Sequence, residues 1–497
     1  MAFNRATPSC AVFLIVSAFV FLQSSQAGQR DSLSDADAGT LNSFESWVTT
    51  RKENVSKGAA VDDAVGEQLA RNRRNVLKEL IKRDPKAALN NALSVSLRKG
   101  LPARVTQHLE ERISGKGTLG TLAVQAPADP TTPRLFRVVE IGGKTYTAHV
   151  YGKSENISTT HNLSIHGVAV DDTFALLDSR VRVLESGEKP DPAKEAQDLR
   201  CPVSGKEAGL NQEPADNEPD VVAESGDKTF FICSAAHVGA VDEQVAGSEL
   251  LAPAYNSIGT KSVLVMRVDF TDKPLESVSQ AQAETNMEAV RQYFYSSSFQ
   301  QMDLSVVVTS LLRMPQTGSY YSGGNKYSEM QNDARAAAVA AGYDTSTFQH
   351  DVLTFTGIGF GWGGLGWVGG KGSWVQGNGL STGVTAHELG HNVGNWHANY
   401  WSATGDSIIG PGTHGEYGNP FDVLGSSGSF PNGQFNSNFK NNLNWIPAAN
   451  LHTASSSGTF QIYAMDHGGV LGANRYAITV PINMPITTSE GTINEDY

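Results

Sequence analysis

Residues 385–397 read TAHELGHNVGNWH. His387 and His391 stand four apart, so on a helix they share one face, about 6 Å apart along the axis. Two imidazoles so placed can hold one Zn2+ at roughly 2.0–2.1 Å each. Glu388 projects beside them and reaches the ion's water without ligating the ion. Gly394 supplies the positive φ that ends a helix sharply, and the turn lets His397 swing back as a third ligand. The fourth tetrahedral position stays open for water. The pattern therefore predicts one catalytic zinc on His387, His391 and His397, with Glu388 as general base in the hydrolysis of peptide bonds. A calcium requirement is not legible.

Upstream of this stretch the chain becomes regular. Ser262 to Phe270 (SVLVMRVDF) is a near-continuous apolar run, as expected of a strand buried on both faces. Ser279 to Ser298 reads as a helix, Leu304 to Met314 as a strand, Tyr327 to Ala341 as an Ala-rich helix and Asp351 to Thr356 as another buried strand. This β-α-β-α-β order predicts an α/β (α+β) domain with right-handed crossovers.

HELGHNVGNWHAN, preceded by GWVGGKGSW and followed by EYGNPFDVLG, resembles the metzincin zinc metallopeptidases, and among them the gametolysin family. The resemblance runs over residues 257–445. It implies a twisted mixed sheet with an active-site helix, zinc on His387, His391 and His397, and Glu388 as base. It also implies that Leu365 to Trp374 forms the edge strand of the cleft, where substrate adds as an antiparallel strand. A protein or glycoprotein of cell wall or matrix is the implied substrate. One departure stands out: the family carries a methionine in a tight turn beneath the zinc, and Tyr417 to Gly425 has Leu424 there, an apolar replacement of similar volume. Tyr417 is read either as a phenol that steadies the oxyanion or as a structural tyrosine.

Working outward, Arg5, the apolar run Ala11 to Leu22 and the small residue Ala27 form a signal peptide over residues 1–27. That places the protein outside the cell or in the periplasm or wall. The apolar run is too short for a span of about 20 residues, and no later stretch approaches one. Residues 28–256 carry 60 charged side chains and residues 257–497 only 28, which separates two units. Residues 28–200 read as a helical-then-β pro-region: helices over Asp62 to Arg83, Lys86 to Lys99 and Pro102 to Ile113, the last stopped by Ser114-Gly115-Lys116-Gly117, then short strands. Residues 201–256 read as a linker open to processing, acidic from Lys206 to Asp227 and loose from Ser234 to Asn256. The peptidase domain takes 257–446. Residues 447–497 form a β-rich segment that stops abruptly, as a truncated chain would.

Of the three cysteines, Cys10 leaves with the signal peptide. Cys201 and Cys233 are expected to pair as a disulfide, or Cys201 to act as a thiolate switch on the zinc. Asn54, Asn156 and Asn162 begin glycosylation sequons. His414 and Asp422 read as loop residues with local hydrogen bonds. The formal charge of −13, unbroken by any basic run, excludes a nucleic-acid surface. Gly357 to Gly372 fails the phosphate-loop pattern, because Gly372 follows Lys371 where Ser or Thr is required, and it reads instead as a Gly- and Trp-rich rim of the site. Two rivals remain: a catalytically inactive metzincin-like extracellular binding protein, and a metal-dependent hydrolase of non-peptide bonds.

Overall fold

The structure is a computed structural model that describes residues 33–125, 133–192, 194–196, 200–206, 221–250, 257–324, 326–377, 380–405, 411–426, 433–465, 469–480, 486–488 and 491–493. The signal peptide and residues 207–220 of the acidic linker lie outside the described residues.

The chain opens with two long helices, α1 (Asp35–Ser56) and α2 (Asp63–Arg83). Ser34 and Asp62 cap them, accepting from the first free N–H groups. Pro85 ends the run, as its ring demands, and starts α3 (Pro85–Asn90). The stretch predicted as one helix from Lys86 is broken, because Ser94 caps a separate turn, α4 (Val95–Arg98). The next helix is also shorter than predicted. Only α5 (Ala103–Thr106) forms, and from Glu111 the chain runs as the 15-residue strand β1 (Glu111–Gln125), straight through the glycines read as a stop. Four strands follow: β2 (Leu135–Ile141), β3 (Lys144–His149), β4 (Thr160–Val170) and β5 (Thr173–Leu176).

A small sheet comes next, with β6 (Arg182–Val183), β7 (Glu195–Ala196), β8 (Val221–Ser225) and β9 (Lys228–Ile232). Then comes helix α6 (Val238–Glu249). Residues 221–227 and 234–250, within segments read as loose, are thus ordered. Glu224 is buried between Arg182 and Lys194, and Val241 is buried while Asp242 accepts from the Arg180 N–H at 2.6 Å. Those ion pairs and contacts are made with distant residues that local composition does not reveal.

The second half supplies β10 (Gly259–Asp269), α7 (Gln280–Ser297), β11 (Met302–Arg313), α8 (Gly318–Ser322), α9 (Tyr327–Ala340), β12 (His350–Phe355), β13 (Gly364–Trp367), β14 (Ser373–Gln376) and α10 (Thr382–Asn392). Strands β11, β10, β12 and β14 are parallel, and β13 joins β14 antiparallel. Along β10, Val263 and Val265 face a core shared with α7 and α10, whereas Leu264, Met266 and Val268 face one shared with α9. Both faces are covered, which explains the unbroken apolar run.

The sheet does not stop at the compositional boundary. Its order is β11-β10-β12-β14-β13-β1-β2-β3-β5-β4, ten strands through both halves. The predicted edge strand from Leu365 to Trp374 is therefore corrected twice. It is a hairpin of two short strands, and β1 covers the outer side of β13.

Candidate active site

Helix α10 packs against β13 and β14 through close backbone approach. A Cβ on Gly364 would lie 2.1 Å from Glu388 Oε1, and one on Gly366 2.8 Å from the Glu388 carbonyl. Below the helix, Leu424 and Phe435 fill the space left by Gly390, where a Cβ would meet Phe435 at 2.9 Å and Leu424 at 3.2 Å. Leu424 is wholly buried in a turn whose Asp422 side chain accepts the Leu424 N–H at 2.8 Å.

His387 and His391 project one turn apart, with ring centroids 4.7 Å apart. The helix ends at Asn392, Gly394 adopts φ 107°, and the reversal brings the His397 ring to 4.9 Å from His391 and 5.6 Å from His387. One nitrogen from each ring falls within 4.8 Å of the others. Each Nδ1 is engaged elsewhere: His387 donates to the Val423 carbonyl at 2.8 Å, His391 to the Asn395 carbonyl at 2.8 Å and His397 to Glu416 Oε1 at 2.7 Å. These bonds select the tautomer with bare Nε2 atoms. All three Nε2 atoms are buried without a hydrogen-bond partner. Buried polar atoms are rarely left so, and three converging lone pairs of this kind fit a metal ion.

Burial holds all three imidazoles below their ordinary protonation range, His387 at about 3, reinforced by the neighbouring His397. They stay neutral, as ligands must. Glu388 is wholly buried, neither of its oxygens has a partner, and burial pushes its carboxyl well above the ordinary value.

Two further residues complete the site. Glu416, which sequence reasoning missed, fixes the His397 ring and lies 3.6 Å from Arg134 of the first half. Tyr417, held at φ 59°, lies tilted against His397 with centroids 4.0 Å apart, and its hydroxyl donates to the Val124 carbonyl of β1. His414 is exposed on a short strand, and Asp422 is buried, accepting the Leu424 N–H of its own turn and also the Asn436 N–H, so its role is not purely local. The tryptophans of the Gly-rich stretch are not a rim: Trp362, Trp367 and Trp374 are buried in the core shared with α9.

Residues 268–433 match the family described as Gametolysin peptidase M11. This segment is similar to the gametolysin peptidases. No curated protein matches the chain. Among solved structures, a chaperone-substrate complex is similar over 28% of this chain and 24% of its own, at 16% identity and a TM-score of 0.20. The chain thus spans about a quarter of that structure's length, and so low a score carries no argument about fold. The gametolysin match takes in β11, β12, both strands of the hairpin, α10 and the turn at Leu424.

The two retained cysteines lie outside that segment. Neither is in a disulfide, and both sulfurs converge on His237, whose Nδ1 is 3.6 Å from Cys201 Sγ and 3.4 Å from Cys233 Sγ. Cys201 is packed with Val181, Ala223, Ile232 and Val241, not beside the three active-site histidines that a thiolate switch would have to reach.

Proposed function

We propose that this protein is a secreted zinc-dependent metalloendopeptidase, made as a zymogen, that hydrolyses peptide bonds of extracellular or cell-wall proteins. The observation that carries the reading is the group of three buried, partnerless Nε2 atoms on His387, His391 and His397 beside an equally partnerless Glu388 carboxylate. When bound there, zinc supplies a Lewis acid that polarises the scissile carbonyl and acidifies a water. Glu388 takes that water's proton as it attacks, and passes it to the leaving nitrogen. Its apolar enclosure raises its basicity to suit both transfers. The Tyr417 hydroxyl donates to the carbonyl oxygen as negative charge grows there. Glu416 holds His397 in the required tautomer.

Several features support the zymogen and secretion parts of the reading. Strand β1 from the first half lies along β13, where substrate would pair, and the N-terminal sequence has the order of a signal peptide. The test is to express residues 28–497 and measure bound zinc and casein cleavage for the parent and Glu388→Ala. Zinc in both, with cleavage by the parent alone after limited proteolysis, is the expected result. Equal zinc with no cleavage by either would favour the inactive binding protein. Absence of zinc from both would overturn the metal assignment.

A further inference from the structure

Strand β1 does more than extend the sheet. Leu122, Ala123, Val124 and Gln125 pair antiparallel with Trp367, Gly366, Leu365 and Gly364. Hydrogen bonds flank this ladder, from the Val368 N–H to the Thr121 carbonyl at 2.9 Å and from the Gly363 N–H to the Gln125 carbonyl at 3.1 Å. Backbone groups alternate in direction along a strand, so Thr121, Ala123 and Gln125 face β13 while Leu122 and Val124 turn their own groups away. Of those, the Val124 N–H goes to the Arg134 carbonyl at 2.9 Å, and its carbonyl accepts from Tyr417, whose ring centroid lies 4.0 Å from that of His397. One carbonyl of this segment therefore lies on the Tyr417 hydroxyl beside His397 and carries the hydrogen bond assigned to a scissile carbonyl. The Leu122 and Val124 side chains, one face apart from Ala123, are buried in the cluster that holds Leu365, Trp362 and Trp367. Arg134, on the returning side of the hairpin, pairs with Glu416 and lies over the Tyr417 ring at 5.0 Å.

We propose that Leu122–Gln125 occupies the cleft as a substrate does, with Val124–Gln125 as the bond presented, so that the chain carries the preference of its own site. That preference is for an extended peptide with aliphatic residues first and third before the scissile bond, and a small residue between them. The assignment rests on the peptidase reading above and deepens it. Occupancy in the substrate direction makes this segment a competitor for any other chain, and the β2 strand behind it keeps it in place.

The test uses the full chain carrying Glu388→Gln, which stays intact, and follows hydrogen exchange at backbone amides 363–368. Protection there is expected to fall at least tenfold on adding Ala123→Pro, which removes a ladder donor. The free pentapeptide Thr-Leu-Ala-Val-Gln is expected to restore it, and a scrambled pentapeptide is not. Where the proline variant does not fold, Leu122→Ala with Val124→Ala keeps every backbone donor and serves instead. In the chain with Glu388 intact, the displaced variant is expected to cut a quenched Thr-Leu-Ala-Val-Gln peptide between Val and Gln at least tenfold faster than one with Asp in place of Val. Unprotected amides in the parent, or equal rescue by the scrambled peptide, would overturn the inference while leaving the peptidase reading intact. Protection that follows the pentapeptide in a protein that binds no zinc and cuts nothing would overturn the peptidase reading and with it the Val124–Gln125 bond as the one presented, leaving only the strand's occupancy of the groove.

Discussion

Glu388 and Gly364 are a matched pair: the carboxylate lies where any side chain on the strand would have to be. Gly364→Ala would place a methyl 2.1 Å from Glu388 Oε1, so the helix must retreat or the glutamate must turn. Overpacking of this kind costs about 1–3 kcal/mol, which urea denaturation would register, and peptidase activity is expected to drop with it. Glu416 acts at one remove, through the His397 ring. Glu416→Gln is expected to weaken zinc binding roughly 10- to 100-fold, read by competition with a chelator, while the fold is kept. The candidate ligands and base could be named from the sequence because they fall within eleven consecutive positions, and one helical turn carries the spacing of two of the histidines. Glu416, Gly364 and Val124 could not. They reach the site by tertiary packing, and nothing in their neighbours' periodicity marks them.

At the scale of elements, β1 is the instructive case. Its glycines at 115 and 117 read as a helix stop, yet the strand runs through them, and at Gly117 and Gly120 the missing side chain permits close contact: a Cβ on Gly117 would lie 2.5 Å from the Glu140 carbonyl, and one on Gly120 2.5 Å from the Trp367 ring. Turn chemistry and close packing select the same residue, so sequence alone assigned the wrong cause. Strands β10 and β12 were read correctly because burial on both faces leaves a strong apolar signal, and the edge strand β11, with Val307 and Leu311 exposed, was read from its β-branched run alone. Just before β1, Glu110 is buried between Arg73 and Arg98, with nitrogen–oxygen distances of 3.1 and 3.0 Å, and also accepts the Leu93 N–H. Burial alone would raise its pKa, but the two guanidiniums and the backbone donor prevail and lower it. Glu110→Ala would leave the buried Arg73 guanidinium with only the Asn91 carbonyl and a half-exposed Glu45 at 3.7 Å, and is expected to cost about 3 kcal/mol in a denaturant titration.

Across the whole molecule, two histidines outside the histidine trio add to the response to acid. Burial holds His166 at about 3 and His350 at about 4, against an ordinary 6.5. The unfolded chain therefore binds protons that the folded chain refuses. Their contribution to stability is full above pH 6.5 and is lost as pH falls toward those lower values. Each should add a slope of roughly 1.4 kcal/mol per pH unit in that window. Urea midpoints at pH 7, 5.5 and 4.5 would show the decline, and His166→Gln is expected to flatten it.

The pairing of β1 with β13 joins residues about 240 positions apart in the chain. During synthesis the first strand must therefore wait for a partner that emerges long after it. Loop closure of that length precedes the contacts that reward it, which makes assembly slow and dependent on what is already folded. The N-terminal strands are in place first, and they offer β1 as a ready edge on which the hairpin and α10 can assemble. Cutting the early half away after folding and never making it are thus different experiments. The first leaves a finished catalytic segment, and the second leaves β13 with no template to build on.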